Sequence, residues 1–318
     1  MIRRLLALFE PFILALLGTV VLASLLPPRG AFAGVAEAAA TAGIVALFFL
    51  HGARLSRQAI WDGMRNLRLH AAVFATTFAI FPLLGLGLSA LFAGPVAAGL
   101  LFLTLLPSTV QSSIAFTAIA RGNVAAAVCS ASLSNLAGIL VTPALVALLM
   151  GHAGAGVSLA SIEAIVFQLL VPFLAGHLLR PWIGGWVARR RKLLTLVDRG
   201  SILLVVYTAF GAAVVEGLWT RVSGPDLALI LVACVALLAV VLGLTYAMGR
   251  ALRLSREDAV VLLFCGSKKS LASGVPMAGV LFPAAQVGVV LLPVMLFHQI
   301  QLVACALIAR RMSAEETA

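Results

Sequence analysis

Cys265-Gly266-Ser267-Lys268-Lys269-Ser270-Leu271-Ala272-Ser273-Gly274 interrupts an apolar run that extends from Ala259 to Phe282. Within that run the two lysines are the only ionisable groups apart from Cys265. A charge at bilayer depth costs about 2.5–3.5 kcal/mol on insertion scales. That cost disfavours a lysine pair facing lipid and favours one facing a polar interior among helices. Such an interior is where a transporter holds a substrate or a coupling ion.

The rest of the chain supports a membrane setting. It has 318 residues, 63% of them hydrophobic and 10% charged, with a mean hydropathy of +1.15. A soluble domain of this length needs more polar surface. Ten apolar runs are long enough, or nearly so, to cross a bilayer: Leu5–Leu26, Val35–Leu50, Leu69–Phe92, Val96–Ala120, Val124–Met150, Ile162–Leu179, Ile202–Trp219, Leu227–Met248, Ala259–Phe282 and Ala284–Ala309. The net charge of +11 is not a nucleic-acid signal, because it is sorted by topology. On the ten-span reading 18 of the 22 Lys and Arg residues fall on one side, only Arg29 and Arg221 on the other, and Lys268 and Lys269 within a span. That bias is the positive-inside rule and predicts that both termini are cytoplasmic. The cluster Arg189-Arg190-Arg191-Lys192 is expected to fix topology beside anionic headgroups. Trp182, Trp186 and Trp219 lie at span ends, as interfacial anchors do.

Arg3-Arg4, an apolar run and Ala31-Phe32-Ala33 have the outline of a cleaved signal peptide. The run is long for one, Glu10-Pro11 interrupts its start, and the repeat described next favours a retained helix. Cys129, Cys234, Cys265 and Cys305 all fall within expected spans and form no C-x-x-C pair, so they read as packing residues.

The spans divide at the Gly-rich stretch Gly151-His152-Ala153-Gly154-Ala155-Gly156. Five precede it and five follow, and an odd number per half makes the halves inverted repeats. Residues 1–150 and 151–318 are the two expected repeats. Pro11-Phe12-Ile13-Leu14-Ala15 is echoed by Pro172-Phe173-Leu174-Ala175-Gly176. The fourth span of the first half is also interrupted, at Leu106-Pro107-Ser108-Thr109-Val110-Gln111-Ser112-Ser113. Pro107 removes a backbone donor and clashes with the preceding turn. Irregular backbone at membrane depth is tolerated only beside protein or water. Paired interruptions at equivalent places therefore point to a midplane site.

Lys268 and Lys269 project about 100° apart on a helix and need not share a role. One can bind an anion, one can titrate as a proton carrier, or an ammonium can satisfy the carbonyls of a broken helix. Ser267 and Ser270 flank them. Thr109, Gln111, Ser112 and Ser113 are the partners expected from the first half, as ligands or as helix caps. Ser130 and Ser134 share a face in the fifth span, and Asn135 beside them is a buried amide that needs several partners. The corresponding tenth span offers His298, Gln299 and Gln301; twelve residues separate Asn123 from Asn135 and Gln286 from His298, which makes His298 or Gln299 the expected counterpart. Glu10, His177 and Glu216 read as interfacial or packing groups ahead of a proton relay. No zincin, nucleophile-elbow or phosphate-loop motif is present. A Ser–Lys dyad at Ser267 or Ser270 rests on sequence adjacency alone, so no enzyme is expected.

Three stretches together resemble the bile acid:sodium symporter superfamily, and within it the bacterial branch allied to the orphan vertebrate solute carrier ten member seven. They are Leu105-Leu106-Pro107-Ser108-Thr109-Val110-Gln111-Ser112-Ser113-Ile114-Ala115-Phe116-Thr117, Ala120-Arg121-Gly122-Asn123-Val124-Ala125 and Cys265-Gly266-Ser267-Lys268-Lys269-Ser270. The resemblance covers nearly the whole chain. It implies an all-α membrane protein with ten helices in two inverted repeats and with broken helices four and nine crossing at the midplane. It implies further that spans 1, 2, 6 and 7 form a panel and that spans 3–5 and 8–10 form a core. It implies alternating access and a bacterial inner-membrane location. The chain departs from the sodium-coupled pattern. Phe264 stands where those relatives carry a sodium-binding glutamate, Lys268 where they carry glutamine and Lys269 where they carry asparagine. Their Ser-Asn pair matches Ser112-Ser113, or Ser113-Ile114 with a one-residue shift. A fixed positive charge repels sodium strongly in a low dielectric. The expectation is a secondary transporter of a small organic anion, coupled to protons or uncoupled, without the ordinary two-sodium site. The alternatives are a sodium symporter of the family type and a non-transporting membrane regulator with this fold. No cofactor is expected beyond a coupling sodium or proton, and no nucleic acid partner. Oligomeric state is open.

Overall fold

The computed structural model describes residues 11–54, 66–150, 163–164 and 166–315. Glu10, the stretch Gly151–Gly156 and Arg3, Arg4, Arg57 and Arg65 lie outside the described residues. Helices run in the order α1 (Pro11–Leu25), α2 (Gly30–Arg54), α3 (Leu67–Ala75), α4 (Phe81–Ser89), α5 (Gly94–Leu105), α6 (Gln111–Ile119), α7 (Val124–Met150), α8 (Val171–Arg189), α9 (Arg191–Val215), α10 (Leu218–Arg221), α11 (Gly224–Ala251), α12 (Arg256–Gly266), α13 (Leu271–Leu281) and α14 (Ala284–Glu315). No strand occurs among the described residues.

Two π-helical turns, Thr76–Ile80 and Val166–Leu170, lead without a break into α4 and α8. Each precedes a proline in the next helix, Pro82 and Pro172. Proline brings no N–H to the ladder, and the turn before it widens. In the first of them the Phe81 N–H bonds the Thr76 carbonyl, five residues back.

Among the described residues seven helical stretches are long and apolar enough to cross a membrane: Gly30–Arg54, Leu67–Ser89, Val124–Met150, Val166–Arg189, Lys192–Val215, Gly224–Ala251 and Ala284–Ala314. The other three expected spans differ for distinct reasons. The first is described only from Pro11, and its apolar part is Leu14–Leu25. The fourth and ninth are each two short helices, α5 with α6 and α12 with α13. Their interruptions are where Pro107 and the lysine pair placed them.

The chain forms two compact units. One comprises Met1–Leu55, Gly151–Ser223 and Val275–Leu291. In it α2 and α8 touch backbone to backbone. A Cβ at Gly52 would sit 2.0 Å from the Phe173 carbonyl oxygen, and one at Gly176 would sit 2.0 Å from that of Phe49. Small residues permit this approach, which is how helices gain dispersion contact where lipid gives no hydrophobic drive. Leu50, Ala53, Val187 and Leu194 fill the space beside the crossing, and Arg54 bonds Asp198. Tyr207 donates to the Leu26 carbonyl at 2.8 Å, and the Trp219 ring nitrogen to Ser24 at 3.1 Å. Trp182, Trp186 and Trp219 are exposed.

The second unit comprises Ser56–Met150, Gly224–Gly274 and Leu292–Ala318. Its core packs Leu69, Ala72 and Val73 of α3 against Ala126, Ala127 and Ala131 of α7 and Val261, Leu262 and Cys265 of α12. Asp258 ties three helix starts together. Its carboxylate accepts from Asn66 at 2.6 Å and from Asn123 at 2.9 Å. The carbonyl oxygens of those two amides in turn cap α3 and α7, accepting from Leu69 and Ala126. The Ser255 hydroxyl caps α12 by accepting from the Asp258 N–H at 3.2 Å. Polar side chains at these starts satisfy N–H groups that a helix cannot pair internally.

Candidate functional site at two helix breaks

Residues 106–110 and 267–270 are the non-helical links inside the two broken segments, and both belong to the second unit. A helix that stops in an apolar interior leaves carbonyls that need donors. Here every carbonyl from Thr104 to Ser108 has one. Thr104 and Leu106 accept from the Lys269 ammonium, each at 2.7 Å. Leu105 accepts from Thr142 at 2.8 Å, Pro107 from the Ser270 N–H at 2.8 Å, and Ser108 from Asn135 at 2.7 Å. The debt is returned. The Ser108 hydroxyl donates to the Cys265 carbonyl, and Ser113 donates to that of Phe264 at 2.9 Å. Each break thus completes the other.

Lys269 is saturated. Its third N–H bond goes to the Thr77 carbonyl, also at 2.7 Å, and the Phe81 ring lies 4.2 Å from the nitrogen. Its own backbone is clasped by Gln301, whose amide oxygen accepts from the Lys269 N–H at 2.9 Å and whose NH2 donates to the Lys269 carbonyl at 2.8 Å. Those two bonds fix which amide atom is which. The remaining Gln301 hydrogen points to His298 Nδ1 at 2.9 Å, so that ring nitrogen acts as acceptor and the ring proton sits on Nε2.

Lys268 is equally buried but far less engaged. Its one hydrogen-bond partner among the described residues is the Ser112 hydroxyl, at 3.4 Å. The Phe116 and Phe264 rings lie 4.3 and 5.7 Å from the nitrogen. Aromatic faces hold a cation without consuming its N–H bonds. Ser112 donates in turn to Thr109 at 2.9 Å, and Thr109 and Ser113 share a bond of 2.8 Å. One ammonium with capacity to spare therefore adjoins a linked set of three hydroxyls.

The remaining expected residues separate. Ser134 accepts from the Ser108 N–H at 3.0 Å, and Asn135 adds a bond to the Ala131 carbonyl and accepts from Ser273 at 2.7 Å. Both brace the first break. Ser270 accepts from the Ser273 N–H at 3.2 Å, and Ser267 turns back to the Leu263 carbonyl. Ser130 instead meets His70 at 2.8 Å. Gln111 is exposed at the start of α6. The Gln299 oxygen is buried with no hydrogen-bond partner among the described residues. His177 stacks on Phe173, and Glu216 is exposed. The residue that matches Asn135 in its work on the second break is Gln301, ahead of His298 and Gln299. The rule that singled out Asn135, a buried amide demanding partners, points equally to Gln301. The roles of Thr77 and Ser108 left less trace in the sequence.

The profile of one protein family matches residues 10–314. The chain belongs to the SBF-like CPA transporter family. It is 51% identical to the putative symporter YfeH of Escherichia coli over an alignment of 316 residues that covers 97% of this chain and 94% of that protein. It is 57% identical over 307 residues to "Uncharacterized protein PA2026" of Pseudomonas aeruginosa, 95% and 92% of the two chains. It is 25% identical over 274 residues to sodium/bile acid cotransporter 7 of Rattus norvegicus, 81% and 78% of the two chains. Family membership and the apolar helices together make this a multi-pass membrane protein of a transporter family, and not an enzyme. The family resemblance read from the three stretches is the family found.

Proposed function

We propose that this chain is a secondary transporter of a small organic anion that works by alternating access without the ordinary two-sodium site. The observation that carries the reading is the contrast at the breaks. Lys269 has every N–H engaged by backbone, whereas Lys268 has one long bond to Ser112, whose hydroxyl is linked on to Thr109 and through it to Ser113. A buried ammonium with spare donors is the group that an incoming carboxylate or sulfonate satisfies. Lys268 is fully enclosed here, so uptake requires a second conformation that opens it. Lys268 is also the group placed to exchange a proton, which makes proton coupling or no coupling the expected mode.

In this reading the ten segments form two inverted repeats, 1–150 and 151–318, with spans 1, 2, 6 and 7 as panel and the others as core. The mutual completion of the two breaks supports that arrangement. The charge bias supports cytoplasmic termini, and the bacterial relatives support the inner membrane. The relative named sodium/bile acid cotransporter 7 favours a second reading, in which sodium drives the same transport. A thermal-stability screen over small carboxylates and sulfonates, with and without sodium and at several pH values, supplies substrates for uptake in proteoliposomes. Uptake that follows a pH gradient, or needs no gradient, in sodium-free buffer supports the proposal. Strict sodium dependence with no response to pH would falsify it in favour of the second reading.

A further inference from the structure

The three carbonyls that meet Lys269 have lost their helical donors for reasons visible in the backbone. Phe81, which in an α-helix serves Thr77, gives its N–H to Thr76. The next donor in line is Pro82, which has none. Ser108, which in a continued helix serves Thr104, gives its N–H to Ser134. Leu106 lies beyond the end of α5 with an extended backbone. The result is three oxygens from two separate segments, all 2.7 Å from one point, with an aromatic face 4.2 Å to one side. Converging carbonyl dipoles repel one another unless a positive charge sits among them, which is how backbone oxygens select cations elsewhere. Thr77 brings a further oxygen, a buried hydroxyl with no hydrogen-bond partner among the described residues.

We propose that Thr77, Thr104 and Leu106 form a monovalent-cation site in which the chain's own Lys269 serves as resident ion, and that this site accepts a free potassium-sized cation once the ammonium is removed. The inference goes beyond the transport reading and does not depend on it. The charge class follows from the ligands. Three neutral carbonyls offer nothing to balance a second positive charge, whereas calcium sites recruit six to eight oxygens with carboxylates among them. The size class follows from the 2.7 Å radius, which suits ammonium and potassium and is wide for sodium. The oxygens are backbone atoms, so the site persists when the Lys269 side chain is changed.

The test uses the full chain in detergent with Lys269→Ala, which opens the site, and Lys269→Met, which fills the stem without the charge. Thermal unfolding is compared in choline, sodium, potassium and methylammonium chloride at equal ionic strength. Lys269→Ala is expected to melt several degrees higher in potassium or methylammonium than in choline, saturably, with sodium weaker. Wild type is expected to melt at the same temperature in choline, potassium and methylammonium, and Lys269→Met, though it melts lower than wild type, is likewise expected to show no shift among the three salts. The proposal is overturned if Lys269→Ala melts at one temperature in all four salts, or if Lys269→Met responds as strongly. It is overturned equally if no folded Lys269→Ala is recovered in potassium or methylammonium. Uptake is not among the readouts, so the transport reading stands or falls separately.

Discussion

Lys268 and Lys269 are adjacent in sequence, equally buried, and opposite in surroundings. Lys269 is held by three backbone carbonyls and an aromatic face. Lys268 is held by two aromatic faces and one distant hydroxyl. The difference shows that burial alone says little about what a charged group does. A group whose bonds are all made is part of the architecture, whereas one with bonds to spare is available for an exchange of partners. Removing a buried charge is costly or cheap according to what it leaves behind.

The sharpest way to break this contrast is to remove each ammonium in turn. Lys269→Met strands three carbonyls at about 1–3 kcal/mol each. A loss of at least about 3 kcal/mol is expected, read as a large fall in unfolding temperature or in folded yield. A smaller step tests the braces of the two breaks. Asn135→Leu and Gln301→Leu are each expected to cost about 2–3 kcal/mol, and thermal unfolding of the two variants checks whether the breaks depend equally on their amides. A marked inequality would show that one break can stand without its clasp.

Lys268→Met is expected to change stability by less than about 1 kcal/mol, since it leaves one weakly engaged hydroxyl. Proteoliposome uptake by the same variant should fall at least about tenfold, the equivalent of 1.4 kcal/mol of lost interaction. Unfolding as severe as that of Lys269→Met would collapse the distinction between the lysines. Phe116→Leu removes one of the two aromatic faces at Lys268 and leaves the ammonium in place, so its effect on uptake is expected to be smaller than that of Lys268→Met. Its readout is a changed apparent affinity for the transported anion with folded yield preserved.

The breaks were legible because proline, glycine and clustered polar residues cannot hide in an apolar run. Pro107 and Gly266-Ser267-Lys268-Lys269 marked both. The division of labour between the lysines was not legible, because it rests on carbonyls with no side-chain signature. The Thr77 carbonyl is orphaned by Pro82 and the widened turn before it, almost two hundred residues from the lysine that it meets. Counting along the chain from Gln286 led to His298 and Gln299 and passed over Gln301, since spacing tracks sequence whereas the clasp tracks helix facing. Thr109, Ser112, Ser113 and Lys268 do converge, and Gln111, despite its place among them, does not.

The crossing of α2 and α8 at Gly52 and Gly176 carries a mechanical corollary. With a carbonyl oxygen lodged where each missing methyl would be, neither rod can slide or roll against the other without a steric collision. The two helices are therefore expected to move together, as one strut, in any rearrangement of this unit. A disulfide engineered across the seam should therefore leave turnover intact, whereas an added methyl at either glycine should pry the strut apart.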